Sequence, residues 1–121
     1  GDELMPGGKH VCNIFQGKFP TYNSGEDGFI GTAPIDAFEP NGYGLYHMAG
    51  NVWEWVADVY STYPAEAQVN PTGPPSGSER VLRGGSWGYH QPFVRTAYRY
   101  PVAATANYLA VGFRCVVPAG E

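Results

Sequence analysis

The chain has 121 residues and a mass of 13.1 kDa, the size of one small domain with a modest core. Hydrophobic residues make up 43% and aromatic residues 15%, which excludes a disordered acidic tail, while 17 glycines and 11 prolines exclude a helical bundle. The net charge of −4, with only seven Lys and Arg, argues against a nucleic-acid partner, and no apolar run approaches the roughly 18 residues of a membrane span.

The N-terminal part of the chain predicts turns and ordered loops. Residues 1–10 form a polar turn segment, and residues 20–45 hold a glycine or proline every few positions. Apolar side chains such as Phe29 and Phe38 anchor that second segment, so we expect it to be ordered. Because Gly1 is not an initiator Met, we also expect a processed or partial product.

Three later segments predict β-strands. Residues 51–60 (NVWEWVADVY) alternate between two faces, residues 80–87 (RVLRGGSW) form a strand with a Gly-Gly break, and residues 111–117 (VGFRCVV) form the last strand. Residues 61–78 are a second loop. We therefore predict an α+β domain over the whole chain with little regular secondary structure, in which short antiparallel strands are joined by long ordered loops.

Two acidic positions are candidates to hold a cation. Glu26 and Asp27 precede Gly28 in a loop that exposes carbonyl oxygens, which suits calcium, although the two carboxylates alone fit a turn cap better. Glu54 lies between Trp53 and Trp55 and needs a partner, unless it is simply exposed with both indoles in the core.

The Gly84-Gly85 pair lets the backbone approach another group closely, but the segment lacks the Lys-Ser/Thr of a phosphate loop. Ser86 has His90 nearby but no following acid before Glu121, which disfavours a serine hydrolase.

Residues 87–108, here called the aromatic segment, combine rigid amphipathic rings with small polar groups as antibody binding surfaces do. We expect some of these rings to be core and others to contact a ligand. The candidate ligand-binding residues, with the adjoining serine, are Ser86, Trp87, Tyr89, His90, Phe93, Arg95, Tyr98, Tyr100 and Tyr108.

Cys12 and Cys115 are the only cysteines, and they lie too far apart for a C-x-x-C or zinc pattern. The sequence leaves open whether they form one bridge, pair with something else or stay free.

Taken together, seven segments in order resemble the formylglycine-generating enzyme family, the sulfatase-modifying factors. They are residues 13–20 (NIFQGKFP), 26–34 (EDGFIGTAP), 41–46 (NGYGLY), 50–55 (GNVWEW), 70–77 (NPTGPPSG), 80–87 (RVLRGGSW) and 112–115 (GFRC). The resemblance implies a variant of the C-type-lectin fold, rich in ordered loops and stabilised by structural calcium. It covers only the C-terminal portion of the family domain, whose larger N-terminal portion completes the fold and holds the usual partner of the cysteine at position 115.

The resemblance also implies two calcium sites. Asn13, Ile14, Asp27 and Phe29 would bind one ion, with Ile14 and Phe29 contributing carbonyl oxygens. The second ion would be bound by His47, Gly50, Val52 and Glu54. His47 stands where the family usually has Asn or Asp.

The family's chemistry depends on a cysteine pair that this chain lacks. Family enzymes oxidise a cysteine in a Cys-x-Pro-x-Arg peptide to formylglycine, using oxygen and a copper ion held by two thiolates. By the resemblance, the two thiolate positions are Tyr89 and Val94 here. We therefore expect no catalytic residue and no copper.

The prediction that follows is a calcium-stabilised, non-catalytic module that binds a protein or small molecule through the aromatic segment. The variable proteins of diversity-generating retroelements use the same fold in this way, with diversified residues between Gly-Gly-Ser-Trp and Gly-Phe-Arg. The alternative is a fragment or homologue of a sulfatase-modifying oxidase.

Overall fold

The computed structural model describes residues 3–117, which form a four-stranded sheet, a two-stranded sheet and long loops. The larger sheet has the order β5-β4-β3-β6 and the smaller one pairs β1 with β2. The strands are β1 Gly17–Lys18, β2 Tyr22–Asn23, β3 Trp53–Val59, β4 Glu79–Arg83, β5 Tyr100–Ala103 and β6 Val111–Gly112. In that part of the chain, helical structure is limited to 3₁₀ turns at Pro6–Gly8 and Gln91–Val94. Short strands and little helix confirm the predicted fold class.

β3 is the longest strand because its residues are β-branched or aromatic at most positions. It begins at Trp53, which is 2% exposed, and ends at Val59, which is also buried. A register irregularity between Trp55 and Val59 shifts its pairing with β4. The predicted strand at 51–60 is thus confirmed, with one residue fewer at the C-terminal end and two fewer at the N-terminal end.

β4 is covered on both faces. Leu82 joins Trp53 and Val102 in a buried hydrophobic cluster, while the neighbouring Val81, which points to the opposite face, is also fully buried. Val81 lines a cavity under the loop that follows β3. A central strand buried on both sides explains why its short apolar run has no polar alternation.

The predictions for the two later strands were too long. The strand predicted at 80–87 ends at Arg83 because Gly84 and Gly85 have positive φ angles of 91° and 74°, which turn the chain out of the sheet. The strand predicted at 111–117 covers only Val111–Gly112, and Phe113 beyond it is 76% exposed.

β6 also corrects the prediction of an antiparallel sheet. It pairs in parallel with β3, with Trp53 opposite Val111 and Glu54 opposite Gly112. The parallel pairing carries the chain after β6 alongside Glu54, which matters for the site described below. Within residues 3–117, no helix has the length and apolar character needed to cross a membrane.

Candidate functional site

Asn13 is the centre of the first predicted calcium site and is completely buried. Its Nδ2 donates to the Gly31 carbonyl at 2.8 Å and to Asn51 Oδ1 at 3.2 Å, and its own carbonyl accepts from the Asn51 amide at 2.7 Å. Asn51 Oδ1 also accepts from the Ala33 amide at 2.8 Å. These bonds hold three separate loop segments together without a strand between them.

Asp27 faces the same region from the next loop. Its carboxylate accepts from the amides of Ile14 at 2.9 Å and Phe29 at 3.0 Å and from Gln16 Nε2 at 2.6 Å. Three neutral donors fix the carboxylate in place, and no basic side chain in the described part of the chain pairs with its charge. The sequence alternative, a simple turn cap, accounts for the Phe29 bond but not for the two bonds to the earlier segment.

The donor set at this first site fits a calcium ion. Asn13 Oδ1 is buried and has no hydrogen-bond partner among residues 3–117, which is costly for an acceptor unless something else satisfies it. The carbonyls of Ile14 and Phe29 accept none of the hydrogen bonds found in the described residues. One amide oxygen, one carboxylate and two carbonyls are the hard oxygen ligands that calcium takes.

The second predicted site is arranged differently. Glu54 forms an ion pair with Arg114, whose Nε lies 2.6 Å from Oε2 and whose terminal nitrogen contacts Oε1. The same terminal nitrogen donates to the carbonyls of Tyr46 at 3.0 Å and His47 at 3.3 Å. His47 Nε2 donates to the Pro34 carbonyl at 2.8 Å. A positive group already binds the carboxylate here, so the residues do not fit a calcium ion.

Arg114 was missed by the sequence reasoning, which used the segment around it only as part of the resemblance. Its partners precede it by 60 residues or more, so no local spacing could have signalled the contact. The Glu54 carboxylate, through its hydrogen bonds, holds the pKa of the Arg114 guanidinium above its ordinary value, although partial burial opposes the shift.

The aromatic segment is divided between core and surface. Four of its rings surround Trp53, with centroids 5.3 to 6.4 Å away, and these rings are Tyr89, Phe93, Tyr98 and Tyr100. Tyr100 stacks on Trp53 with an interplanar angle of 21°, and the other contacts are tilted or edge-on. We call Trp53 and these four rings the aromatic cluster. Edge and offset contacts of this kind stabilise beyond the area they bury.

Burial of the aromatic cluster shifts the pKa values of two of its tyrosines. Burial raises the pKa of the Tyr89 hydroxyl, and a hydrogen bond to Tyr100 raises it further. Burial also raises the pKa of Tyr98. These tyrosines are partly exposed at their edges, so they form the floor of a surface rather than projecting from it.

The remaining ligand-binding candidates have different positions. Ser86, named above as a candidate ligand-binding residue, is completely buried. Trp87 is half-buried, whereas Arg95 and Tyr108 are exposed. His90 packs against Phe19 with ring centroids 4.3 Å apart and lines a cavity of about 460 Å³ together with His10.

Tyr89 and Val94 are the two positions where, by the resemblance, family enzymes have thiolates. Tyr89 belongs to the aromatic cluster, and Val94 ends the 3₁₀ turn Gln91–Val94. A Cβ on Gly85 would lie 2.6 Å from Val94 Cγ1, so the glycine is what allows this turn to pack closely.

A larger cavity of about 1000 Å³ lies under the loop after β3, on the face of the sheet opposite the aromatic cluster. The sequence analysis did not predict this cavity. The Arg99 guanidinium closes one wall by stacking 3.7 Å from the centre of the Tyr63 ring and donating to the Ser61 carbonyl at 2.8 Å. Arg99 and Tyr63 are 36 positions apart, so local sequence patterns could not reveal this pair.

Both cysteines are unbridged. Cys12 is buried beside the first site, and burial, with a smaller contribution from the Asp27 charge, raises its pKa from 9.0 to about 11. Cys115 is exposed next to Arg114. Of the possibilities left open by the sequence, a bridge between the two is not formed.

The comparisons with known proteins agree with this architecture. The family model described as "Sulfatase-modifying factor enzyme 1-like domain" matches residues 1–119. The chain belongs to the sulfatase-modifying factor family. A formylglycine-generating enzyme of Bos taurus is 50% identical over an alignment of 122 positions that covers 95% of this chain and 32% of that protein. An inactive C-alpha-formylglycine-generating enzyme 2 of Mus musculus is 42% identical over all of this chain and 36% of that protein.

Among solved structures, Treponema denticola variable protein 1 is similar with a TM-score of 0.69 and 31% identity, over 85% of this chain and 34% of that one. The family's C-type-lectin-like fold is therefore present here. The chain spans about a third of the length of each of these relatives. The family thus includes both proteins named for an activity and a protein named inactive.

Proposed function

We propose that this chain is a non-catalytic binding module of the sulfatase-modifying factor family, stabilised by calcium at the first site. The observation that supports it is the aromatic cluster, which brings Tyr89 against Trp53 at a position where the family's chemistry needs a thiolate. A phenol and the aliphatic Val94 cannot hold copper as a thiolate pair does. A relative named inactive and a structural neighbour named a variable protein support the same conclusion.

The proposed binding surface is the exposed margin of the aromatic cluster. His90 opens onto the smaller cavity, and Arg95 and Tyr108 lie exposed along the same segment. An apolar floor with a few polar groups at its edge is the usual form of a ligand site. We therefore propose a ligand that places an apolar group against the cluster and a polar or acidic group near Arg95.

This binding role can be tested with a random peptide library displayed on phage. Peptides captured by the wild-type chain should lose binding to Arg95→Ala and His90→Ala, but not to Tyr43→Ala, which alters a 90% exposed ring outside the aromatic segment. Binding that survives both substitutions, or that is lost equally in Tyr43→Ala, would contradict the proposed surface.

The family's oxidase activity is the second candidate, since a relative with that name is 50% identical. Under this alternative, wild-type chain with Cu(I) and oxygen would convert a Cys-x-Pro-x-Arg peptide. We expect no conversion and no stoichiometric Cu(I) binding. The double variant Tyr89→Cys/Val94→Cys should gain Cu(I) binding if the two positions are close enough for a shared ion, which tests the assignment of the thiolate positions.

Calcium binding at the first site has its own experiment. Millimolar calcium should raise the Tm of the wild-type chain by mass action, and Asp27→Asn should abolish most of that rise. Asp36→Asn, which removes an exposed acid outside the site, is the matched control and should respond as the wild type does. An equal calcium response in all three proteins would refute the proposed site.

A further inference from the structure

The Tyr46–Glu54 segment comprises the loop before β3 and the first two residues of that strand. A positively charged side chain of the protein, Arg114, is bound by this segment. The Glu54 carboxylate uses both oxygens to accept from the Arg114 guanidinium. Two carbonyls of the loop, those of Tyr46 and His47, accept from the same guanidinium. Arg114 therefore makes four contacts with oxygens that converge on one position. Convergent carboxylate and carbonyl oxygens are the ligands of a hard cation, and here a guanidinium receives them.

Charge and geometry both oppose a metal ion in addition to the guanidinium. Calcium needs six to eight oxygens at about 2.3–2.6 Å, and the guanidinium already occupies the position that both Glu54 oxygens and the two carbonyls face. A divalent ion beside the guanidinium would also be repelled by its charge. This repulsion is weakly screened because the Glu54 side chain is only 19% exposed and that of Arg114 33%.

We infer that in this chain the Arg114 guanidinium, and not calcium, satisfies the Glu54 carboxylate and the Tyr46 and His47 carbonyls, so that the Tyr46–Glu54 segment is held by an internal cation and binds no metal. The inference concerns a different carboxylate from the proposed calcium site at Asp27, and it does not depend on that site. It also gives the parallel pairing of β6 a role, because that pairing places Gly112 opposite Glu54 and brings Arg114 within reach.

The first test measures metal binding with the Asp27 site removed. In the Asp27→Asn variant, isothermal titration with calcium should show no binding up to millimolar concentrations. Terbium, a luminescent substitute for calcium, should show no indole-sensitised emission, although Trp53 and Trp55 flank Glu54 in the chain. One equivalent of calcium bound in Asp27→Asn and lost in Asp27→Asn/Glu54→Gln would overturn the inference.

The second test removes the internal cation. Asp27→Asn/Arg114→Gln should gain one equivalent of bound calcium and a saturable terbium signal, because the oxygens around Glu54 become available. Asp27→Asn/Arg114→Lys keeps the positive charge and should gain neither. Asp27→Asn/Lys9→Gln removes an exposed positive charge elsewhere and is the matched control. If folded Arg114→Gln protein gains no calcium, the guanidinium is not what excludes the ion.

Circular dichroism and Tm decide which variants are folded. If Arg114→Gln does not fold, the titration of Asp27→Asn still gives the answer. A chain that binds no calcium at Asp27 in the wild type would remove the proposed calcium site but leave this inference standing, so the two failures are distinguishable.

Discussion

The two acidic loops of this domain stabilise a buried or half-buried carboxylate in opposite ways. Asp27 is surrounded by neutral donors, two backbone amides and the Gln16 side chain. Glu54 is paired with the full charge of Arg114. Neutral donors leave the negative charge of Asp27 available to a metal ion, whereas the guanidinium neutralises Glu54 directly. Equivalent-looking acids in a sequence can therefore have different needs for a cation.

The two loops share one structural junction. The backbone of Gly50 runs directly against the Asn13 carbonyl of the first loop while its amide donates to Gly84 at the end of β4. Any change at this junction disturbs both loops, whereas changes at either carboxylate should disturb only one.

Substitution of Gly50 is expected to have the largest effect. Its φ is 75°, and a Cβ there would lie 2.3 Å from the Asn13 carbonyl oxygen. Gly50→Ala should lower the free energy of unfolding by about 3–5 kcal/mol, the range of severe backbone and packing defects. Gly44→Ala is the control: its φ of 76° is nearly the same, but its Cβ would meet nothing within 4 Å. It should cost only about 1–2 kcal/mol in urea denaturation.

Equal effects of Gly50→Ala and Gly44→Ala would show that backbone strain alone matters at Gly50. The close approach of the two loops would then contribute nothing to stability.

Alkaline pH should weaken the first loop through Cys12. Below the unfolded-state pKa of 9.0 the thiol is neutral in both states and stability is unaffected. As pH rises further, the unfolded thiol ionises while the buried thiol stays protonated up to about 11, so the free energy of unfolding falls. The full loss is about 2–3 kcal/mol.

Urea denaturation between pH 8 and 11 measures this loss, and Cys12→Ala provides the control. Tyr89 and Tyr98 also have raised pKa values, so they weaken the fold in the same direction in both proteins. Only the difference between the wild type and Cys12→Ala belongs to the thiol. Parallel curves for the two proteins would contradict the burial of Cys12.

Glu54→Gln should cost about 1–2 kcal/mol, less than a fully buried pair would, because both side chains keep some exposure to water. The loss should be the same with and without calcium, since the partner of Glu54 is Arg114. Glu66→Gln is the control, because Glu66 is an exposed acid in the loop that follows β3, and this substitution should change the Tm little. A cost that appears only in calcium would mean that Glu54 serves a metal ion after all.

The sequence was sufficient for the features that depend on local pattern. The alternation around Trp53 and the apolar run at Val81 and Leu82 predicted the two central strands, β3 and β4. It overestimated the strand after Val111 because an apolar run predicts extended chain whether or not a neighbour exists to pair with it. Residues after Gly112 have none in the described part of the chain.

The features that sequence reasoning missed depend on contacts between distant segments. The sequence indicated that Glu54 needs a partner but could not identify Arg114, which lies 60 residues away, and no local pattern signalled that Ser86 is buried. The resemblance supplied the right family and implied a calcium ion at Glu54, where the structure places the Arg114 guanidinium. Only the three-dimensional arrangement distinguishes the two kinds of cation.

The smallest effect concerns the two thiols, one beside each loop. Cys115 is exposed and should react quickly with a maleimide at neutral pH, whereas Cys12 is 4% exposed with a pKa of about 11 and should react only after unfolding. Mass spectrometry of the native protein should show one label, and the denatured protein two. Because Cys12 adjoins Asn13, slower labelling of Cys12 in partial urea when calcium is present would report closure of the first loop specifically. Labelling of Cys12 in the native protein without calcium would mean that this loop opens readily and depends on the metal for its order, unlike the loop held by Arg114.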